Sequence, residues 1–519
     1  MKSYLPLELW ILLADQRLPK ETLTTLCLTS KTLNEVFRAA LYREIVLPEI
    51  ADGVELQWKY QQLRAISQLP VETHLRHTRR LDPNHVGGAI RACLSMCLEN
   101  MSNLETCSVS TIPGSAAYFH LNKIRNIYLD SHKRTSSVHN FYRWPNLPNF
   151  RDLHSLDLRG LKGDLDVLGM SIAGILFNDG IPTITAFGLD LDGLEESDTA
   201  NNIFLDIFAE FDNLRRAIGK PNLRLNLRDL ILGKGMYSQS PAMDDQYDYK
   251  QWRLSKLLDV TKLRTLRLLN EPCIDGNYWV SYESIHLELF DGITALQRVS
   301  VEFVSQEVVK LLHHLIMTKD SSNRTTLREF QATLDGTVQS RTTGSPSLYE
   351  ILSQIMQFDW RQLLISGEES FMEQIYEASW DEPSCQWEEL GISWINWDQH
   401  RDALLQLSKL RILMFSYATV TISGERSLVT TRKEDAFSLA KRIFTAFQEH
   451  AKNQRRDSNL RYVGIDEWVF TSLWLPFSKL NVGRTGAEIV QLDKEEARTF
   501  DFIRMNEKLD IGKYRLGRN

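Results

Sequence analysis

The sequence lacks a long apolar run and an excess of charge of either sign. No stretch of about 18 or more consecutive apolar residues occurs in the 519 residues, so no transmembrane helix is predicted. Basic and acidic residues number 60 and 67, which gives a formal charge of -7. This balance creates no positive field that would gather nucleic acid. We therefore expect neither a membrane nor a nucleic acid as partner.

Cysteines are also few, and their spacing forms no framework. Six cysteines in a chain of this length are typical of a reducing compartment, where thiols stay buried and free. Residues 1–30 lack a secretory signal pattern, because Glu8, Asp15 and Lys20 interrupt the leucines. We expect a cytoplasmic or nuclear protein.

The motifs of common enzyme sites are missing as well. The sequence contains no phosphate loop, zinc-binding helix, nucleophile elbow or dinucleotide fingerprint. Cys93 and Cys97 are four residues apart, but no matching histidine pair accompanies them, so they read as small core residues. His313 and His314 lie in an apolar helical pattern and are interpreted as residues of a helix face. We expect no catalytic residue, no metal site and no cofactor.

What the chain does contain is an average globular composition, with 43% hydrophobic and 24% charged residues. Its length predicts several cores or one elongated array. The first fifty residues hold three short helical patterns. Pro6 and Glu8 suit the first turn of a helix, Pro19 opens a second, and Ser30 is an N-cap residue for a third that extends to Ile45. A bundle this small buries too little surface to be stable alone and needs a partner.

Three sequence blocks lie in these helical patterns: Leu5-Pro6-x-Glu8-Leu9, Leu23-x-x-Leu26-x-Leu28-x-Ser30-Lys31 and Leu41-Tyr42-Arg43. In order, spacing and position they resemble an F-box. The resemblance implies an apolar surface that faces the Skp linker subunit of an SCF ubiquitin ligase and, through it, a cullin. Thr29 departs from the valine that the family often has there. The residues implied to face the linker are Leu5, Pro6, Leu9, Leu12, Leu26 and Leu28.

From about residue 100 a second pattern recurs: an apolar residue, two variable ones, an apolar residue, one variable, an apolar residue. It is the strand signature of leucine-rich repeats, and alternation turns the last two apolar residues inward. With the helical patterns between copies, it predicts an α/β solenoid with parallel strands on the concave side and helices on the convex side. Twelve copies begin at Leu104, Ile124, Leu153, Ile184, Leu227, Leu263, Leu296, Leu327, Trp360, Trp387, Leu410 and Leu460.

The array is irregular, since the copies begin about 20 to 50 residues apart and no asparagine ladder accompanies them. An F-box followed by irregular leucine-rich repeats is similar to many fungal F-box proteins. The predicted organisation is an F-box at 1–50, a linker helix at 51–70, a degenerate solenoid at 71–480 and a C-terminal cap or tail at 481–519.

Residues that flank the inward pair of each strand should project from the concave face. Most are polar, but seven are apolar, and contiguous exposed apolar area marks a binding surface. One hypothesis is therefore a target-binding patch, and the alternative is that inserted loops or the C-terminal tail cover these side chains. The seven residues are Tyr128, Ile231, Leu269, Leu364, Ile412, Met414 and Tyr462.

The resemblance implies a non-catalytic adaptor whose F-box binds the linker and whose solenoid binds an unidentified protein substrate. Catalysis would then follow from proximity. Two main alternatives stay open at this point, and a hydrolase hidden in the irregular insertions is a remote third. The protein could bind the linker and act as a scaffold without ubiquitin transfer, or it could be a plain repeat-protein interaction module whose N-terminal bundle is only a cap.

Overall fold

The computed structural model divides the chain into two compact units: Met1–Leu263 with Glu288–Gly292, and Arg264–Leu287 with Ile293–Asn519. Each unit contains a wholly or mostly parallel sheet with short helices, so the fold is mixed α/β. The residues described are 10, 18, 20–46, 61, 64–66, 68–69, 74–82, 101, 103–108, 125–130, 153–161, 169, 172–173, 176, 183–191, 207, 209, 211–239, 253–269, 284–302, 304–317, 326–334, 350–351, 354–355, 358–367, 387–393, 397–416, 419–422, 425–428, 433–466, 468–473, 488–492, 494–497 and 500–501.

The first unit begins with a helical hairpin, α1 (Lys20–Thr29) and α2 (Lys31–Leu41). Ser30 separates the helices, and its hydroxyl accepts a hydrogen bond from the backbone N–H of Leu33 at 3.2 Å. Ser30 thus satisfies one of the free N–H groups at the start of α2. The helices lie at the second and third helical patterns of the sequence. Of the first pattern only Trp10 is described, and it is helical.

The sheet of the first unit follows the hairpin, and consecutive strands pair in parallel. Leu156, for example, lies between Ile127 and Phe187 of the neighbouring strands, and all three are buried. The strands are β1 (Glu44–Val46), β2 (Arg80–Asp82), β3 (Thr106–Ser108), β4 (Asn126–Asp130), β5 (Ser155–Leu161), β6 (Ala186–Leu191) and β7 (Asp229–Leu232). After them come helix α3 (Lys234–Tyr237) and strand β8 (Ser238–Gln239).

The sheet of the second unit is parallel as far as β18, and its last two strands are antiparallel. A separate hairpin joins β16 to β17. The strands of this unit are β9 (Thr265–Leu268), β10 (Ser284–Ile285), β11 (Arg298–Val301), β12 (Glu329–Leu334), β13 (Gln362–Gly367), β14 (Glu389–Ser393), β15 (Ile412–Ser416), β16 (Thr419–Ile422), β17 (Glu425–Leu428), β18 (Tyr462–Ile465), β19 (Trp468–Leu473) and β20 (Glu488–Gln491).

Helices connect several of these strands. The two longest, Gln306–Met317 and Lys433–Asn453, are amphipathic and bury one face. The ring of Phe447, in the second of these, stacks on the ring of Trp397 in helix Trp397–Leu405, with 6.5 Å between centroids. The helices of the second unit are α4 (Gln306–Met317), α5 (Trp397–Leu405), α6 (Lys433–Asn453) and α7 (Lys494–Ala497). The chain also forms 3-10 helices at Leu75–His77, Leu254–Lys256, Val260–Lys262 and Leu287–Phe290.

A repeated hydrogen bond sets the register of the strands. The carbonyl of Arg125 accepts from the backbone N–H groups of His154 and Ser155, at 2.7 and 2.9 Å. The same pair of bonds reaches the carbonyl of Arg361 from Glu388 and Glu389, at 2.8 and 3.1 Å. Each described repeat therefore starts its strand at the same point. All twelve predicted copies contain a strand at their second apolar residue, as the pattern predicts.

Three expectations from the sequence need correction. Ile45 was expected to lie in the third helix, but α2 ends at Leu41 and Ile45 lies in β1, because the carbonyl of Arg43 pairs this segment with β2. The strand β19 is antiparallel, since the short turn around Asp466 is too brief for a parallel crossover. The predicted cap at 481–519 contributes β20 to the sheet.

Within the predicted linker helix, Gln61 and residues 64–66 are helical.

Candidate functional site

The helical hairpin carries an unusually exposed leucine. In α1, Leu23 and Cys27 are buried against Phe37 of α2, and Leu26 packs against this small core. Leu28 points away from it and is 81% exposed. Single exposed apolar side chains are common on protein surfaces, and this one leaves Leu28 available for contact with a partner.

Polar contacts fix the shape of the hairpin around this core. The side-chain amide of Asn34 donates to the carbonyl of Cys27 at 3.1 Å, and the guanidinium of Arg38 donates to Asn34 at 3.0 Å. Burial raises the pKa of the Cys27 thiol, although the charge of Arg38 opposes the shift. The thiol therefore stays protonated and acts as a core residue.

The structure describes only part of the predicted linker surface. Leu26 and Leu28 belong to α1, where Leu28 is exposed and Leu26 is half-buried in the hairpin core. The remaining predicted linker contacts lie outside the described residues. They are Leu5, Pro6, Leu9 and Leu12.

Three of the seven residues of the predicted apolar patch are buried and therefore do not form an exposed surface. Leu269, Leu364 and Met414 are buried, with 3% exposure or less. Ile231, Ile412 and Tyr462 are half-buried, and the side chain of Tyr128 lies outside the described residues. Strand alternation identifies the face on which these residues lie, but it does not say what covers that face.

In the second unit, part of the cover comes from the chain's own C-terminal strap, which we define as Leu492, Lys494–Ala497, Phe500 and Asp501. The strap lies on the front face of the sheet, defined as the face that carries Leu364, Met414 and Tyr462. Ala497 is 2% exposed and belongs to one core cluster with Leu364, Met414 and Val469. The backbone N–H of Leu492 donates to the carbonyl of Val469 at 2.8 Å.

The two last described residues of the strap make different contacts. The ring of Phe500 meets that of Tyr462 edge to face, with 5.3 Å between centroids. The carboxylate of Asp501 lies 3.1 Å from the guanidinium of Arg298 and accepts from the amide of Gln331 at 3.4 Å. The strap thus has an apolar contact and a charged contact next to each other.

The charged end of the front face continues as a polar row. Arg298 pairs with Glu329 of the next strand at 2.6 Å. Gln331 donates to Gln362 at 3.4 Å, and Gln362 donates to Glu389 at 2.8 Å. These side chains connect four strands across the sheet, from β11 to β14.

Ionisation in this row is coupled. Burial raises the pKa of Glu389, the hydrogen bond from Gln362 opposes the shift, and the charge of Asp501 adds to it. Burial lowers the pKa of Arg298, but the charge of Asp501 and the hydrogen bond and charge of Glu329 outweigh it, so the net shift is upward. Arg298 therefore stays charged and lies among three carboxyl groups.

A ladder of serine hydroxyls holds three strands together next to the front face. Ser393 lies between Ser366 and Ser416, with oxygen–oxygen distances of 2.9 and 2.7 Å, and all three are buried. This ladder was not predicted, because the ladder expected in leucine-rich repeats consists of asparagine side chains. The signal was a serine directly after the third apolar residue in three consecutive copies.

The described residues bear on the metal, histidine and membrane features considered in the sequence. Among them, no group of three or more histidine, cysteine, aspartate or glutamate side chains could hold a metal ion. His313, considered in the sequence, packs edge to face on Phe358 with 4.9 Å between ring centroids. Within the same part of the chain, no helix combines the length and the apolarity needed to cross a membrane.

Comparison with known proteins adds little to this geometry. No protein-family model matches the chain, and no curated protein matches it. Among solved structures, the chain is similar to a leucine-rich-repeat protein of Leptospira interrogans, with 11% identity, a TM-score of 0.23, and coverage of 81% of this chain and 88% of that one. At that TM-score the likeness carries no argument, and any function must be argued from the chain's own contacts.

Proposed function

We propose that this chain is a non-catalytic adaptor. Its N-terminal helices bind the Skp linker subunit of an SCF ubiquitin ligase, and its strand repeats bind a protein target. Ubiquitin transfer then depends on proximity, because two sites on one chain raise the effective concentration of the target near the ligase. The adaptor itself supplies no acid, base or nucleophile.

The observation that carries this proposal is the exposure of Leu28. Burying a leucine side chain contributes about 1.5–3 kcal/mol, and α1 leaves that contribution unused. The neighbouring leucine of the same sequence block, Leu26, already packs inside the hairpin. Leu28 therefore marks the direction in which the hairpin can bind a partner, and the three sequence blocks indicate the linker as that partner.

The hairpin is also joined directly to the repeats of the first unit. The carbonyl of Arg43, two residues after α2, accepts from the N–H groups of Arg79 and Arg80, at 2.8 and 3.0 Å. The ring of Tyr42 meets that of His74 edge to face, with 4.7 Å between centroids. These contacts anchor α2 at the start of the sheet, as a docking element requires.

The test is co-purification of the full chain with the purified Skp linker. Leu28→Asp should weaken binding by about 10- to 150-fold, the equivalent of one buried leucine contact. Met317→Asp is the matched control, because Met317 is 73% exposed in a helix of the second unit. The docking surface is rejected if the Leu28→Asp variant binds the linker as well as the unchanged chain does. It is also rejected if the unchanged chain does not bind the linker.

A repeat-protein interaction scaffold that acts without ubiquitin transfer, and whose N-terminal bundle is only a cap, is the second candidate. The inward packing of Leu26 favours it, since that residue is less free to contact a linker than an F-box interface needs. The two functions differ in outcome once a complete ligase with its cullin is reconstituted. An adaptor should direct ubiquitin onto lysines of its own chain or its target, whereas a scaffold should leave both unmodified.

A further inference from the structure

The C-terminal strap covers part of the front face of the second unit. Of the strap, Ala497 is deeply buried, whereas Leu492, Phe500 and Asp501 are only partly buried. Its described contacts include the buried methyl group of Ala497, the packing and backbone hydrogen bond of Leu492, the ring of Phe500 and the bonds of Asp501 to Arg298 and Gln331. Departure of the strap would uncover chiefly the small cluster under Ala497, with Leu364 and Met414, and would leave the rest of the core of the unit covered.

The polar partners on the face keep their own contacts when Asp501 leaves. Arg298 remains paired with Glu329 at 2.6 Å, and Gln331 remains within 3.4 Å of Gln362. Removal of Asp501 therefore leaves no buried cation uncompensated, which is the usual large cost of breaking such a pair. Its carboxyl group is the third around this guanidinium, beside those of Glu329 and Glu389.

The floor of the face is adaptable. A Cβ on Gly464 would collide with the sulfur of Met414, so the glycine lets the methionine side chain lie across the neighbouring strand. Methionine is flexible and polarisable and suits surfaces that accept more than one partner. Met414 contributes to the same cluster as Ala497, the buried residue of the strap.

We propose that the front face of the second unit is a recognition surface for an extended protein segment in which an aromatic side chain is directly followed by a carboxylate, and that Phe500 and Asp501 occupy it as an internal stand-in. The ring binds against Tyr462, and the carboxylate binds Arg298 and Gln331. This inference rests on the proposed function for the view that the segment belongs to a target.

Occupation from within the chain has a measurable consequence. A tethered segment competes at an effective concentration set by its tether, so a free segment binds only the fraction of molecules whose strap has left. Weakening the strap should therefore raise the apparent affinity for a free segment of the same chemistry. A strap that is only part of the core would give no such gain.

The experiment uses the full chain and a fluorescent synthetic peptide of residues 492–507, LDKEEARTFDFIRMNE, with binding followed by anisotropy. The peptide should bind the variant F500A/D501K at least tenfold more tightly than the unchanged chain. A control peptide with the same two substitutions should bind neither protein. Adding Arg298→Glu to the variant should abolish binding of the original peptide.

Equal peptide binding by F500A/D501K and by the unchanged chain would overturn the inference, provided that thermal unfolding shows the variant to be folded. If that variant does not fold, Asp501→Lys alone keeps the ring contact and should still give about a threefold gain, and no gain would be equally decisive. The readout does not involve the Skp linker, so its result is independent of the Leu28→Asp test.

Discussion

The ring of Phe500 lies edge to face on the ring of Tyr462, although the two residues belong to different elements far apart in the sequence. Tyr462 is the first residue of β18, and Phe500 follows the short helix α7. The contact places the C-terminal strap over a strand of the repeat array. A face that strand alternation predicts to be open is in this way partly closed by the chain itself.

Replacing Phe500 by alanine should loosen the strap. Edge-to-face aromatic pairs contribute about 0.5–1.5 kcal/mol beyond burial, so the strap should open about tenfold more often. Hydrogen exchange at the N–H of Leu492, which donates to Val469, is the measurement. Phe437→Ala is the control, since its ring lies on Phe470 instead. Unchanged exchange at Leu492 would show that the ring does not hold the strap.

The front face should also respond to pH through Glu389, whose charged neighbours are Arg298, Glu329 and Asp501. Its pKa is raised on folding, mainly by burial, so its stabilising contribution is complete below the ordinary value of 4.5 and is lost as pH rises through the folded value. Glu389→Gln keeps an oxygen that accepts from Gln362 but cannot ionise, so it should remove this pH-dependent contribution to stability.

The variant should therefore be more stable than the unchanged chain at about pH 7 and lose that advantage at about pH 4. Denaturant unfolding at both pH values measures the difference. Asp501→Asn serves as the control, because removing that charge should lower the pKa of Glu389. The stability difference should then appear at a lower pH. An advantage of Glu389→Gln that does not vary with pH would contradict the assignment.

The serine ladder predicts unequal costs for its members. Ser393→Ala removes the contact that Ser393 makes with both Ser366 and Ser416, and each lost buried hydrogen bond costs about 1–3 kcal/mol. Ser366→Ala removes only one bond of the ladder and should cost less. Chemical denaturation of the two variants measures both values, and equal losses would mean that the second ladder bond of Ser393 does not contribute to stability.

The twelve predicted strands could be found from sequence because each has apolar residues at fixed spacing. β1 and β2 were not predicted, for different reasons. At β1, Tyr42, Ile45 and Leu47 do have the repeat spacing, but the helical pattern before them was extended to Ile45. At β2, Thr78 stands where the other copies have a large apolar residue. Their strands depend on the carbonyl of the preceding residue, which accepts two N–H groups whatever its side chain is.

The site was less predictable than the fold. Alternation placed Leu364 and Met414 on the correct face, but their burial depends on Ala497, which is remote in sequence. The pairing of Asp501 with Arg298 likewise has no local signal, since neither residue belongs to a motif. Contacts between distant segments decide what a surface exposes, and a single sequence carries no spacing that reports them.

Gly464 and Met414 should be coupled in stability. Gly464→Ala introduces a methyl group where the sulfur of Met414 lies, and overpacking of this kind costs about 1–3 kcal/mol. Met414→Ala leaves a cavity and costs about 2–5 kcal/mol. In the double variant the new methyl group enters the space that the methionine left, so its cost should be smaller than the sum of the two.

Denaturant unfolding of the two single variants and the double variant gives the coupling directly. Gly391→Ala, directly opposite Met414 on the neighbouring strand β14, tests whether a methyl group on the other side of the methionine is coupled to it as well. Additive losses for Gly464 and Met414 would mean that the added methyl group does not contact the methionine side chain. In that case the floor of the front face would be set by other side chains, and the adaptable surface assigned to Met414 would be rejected.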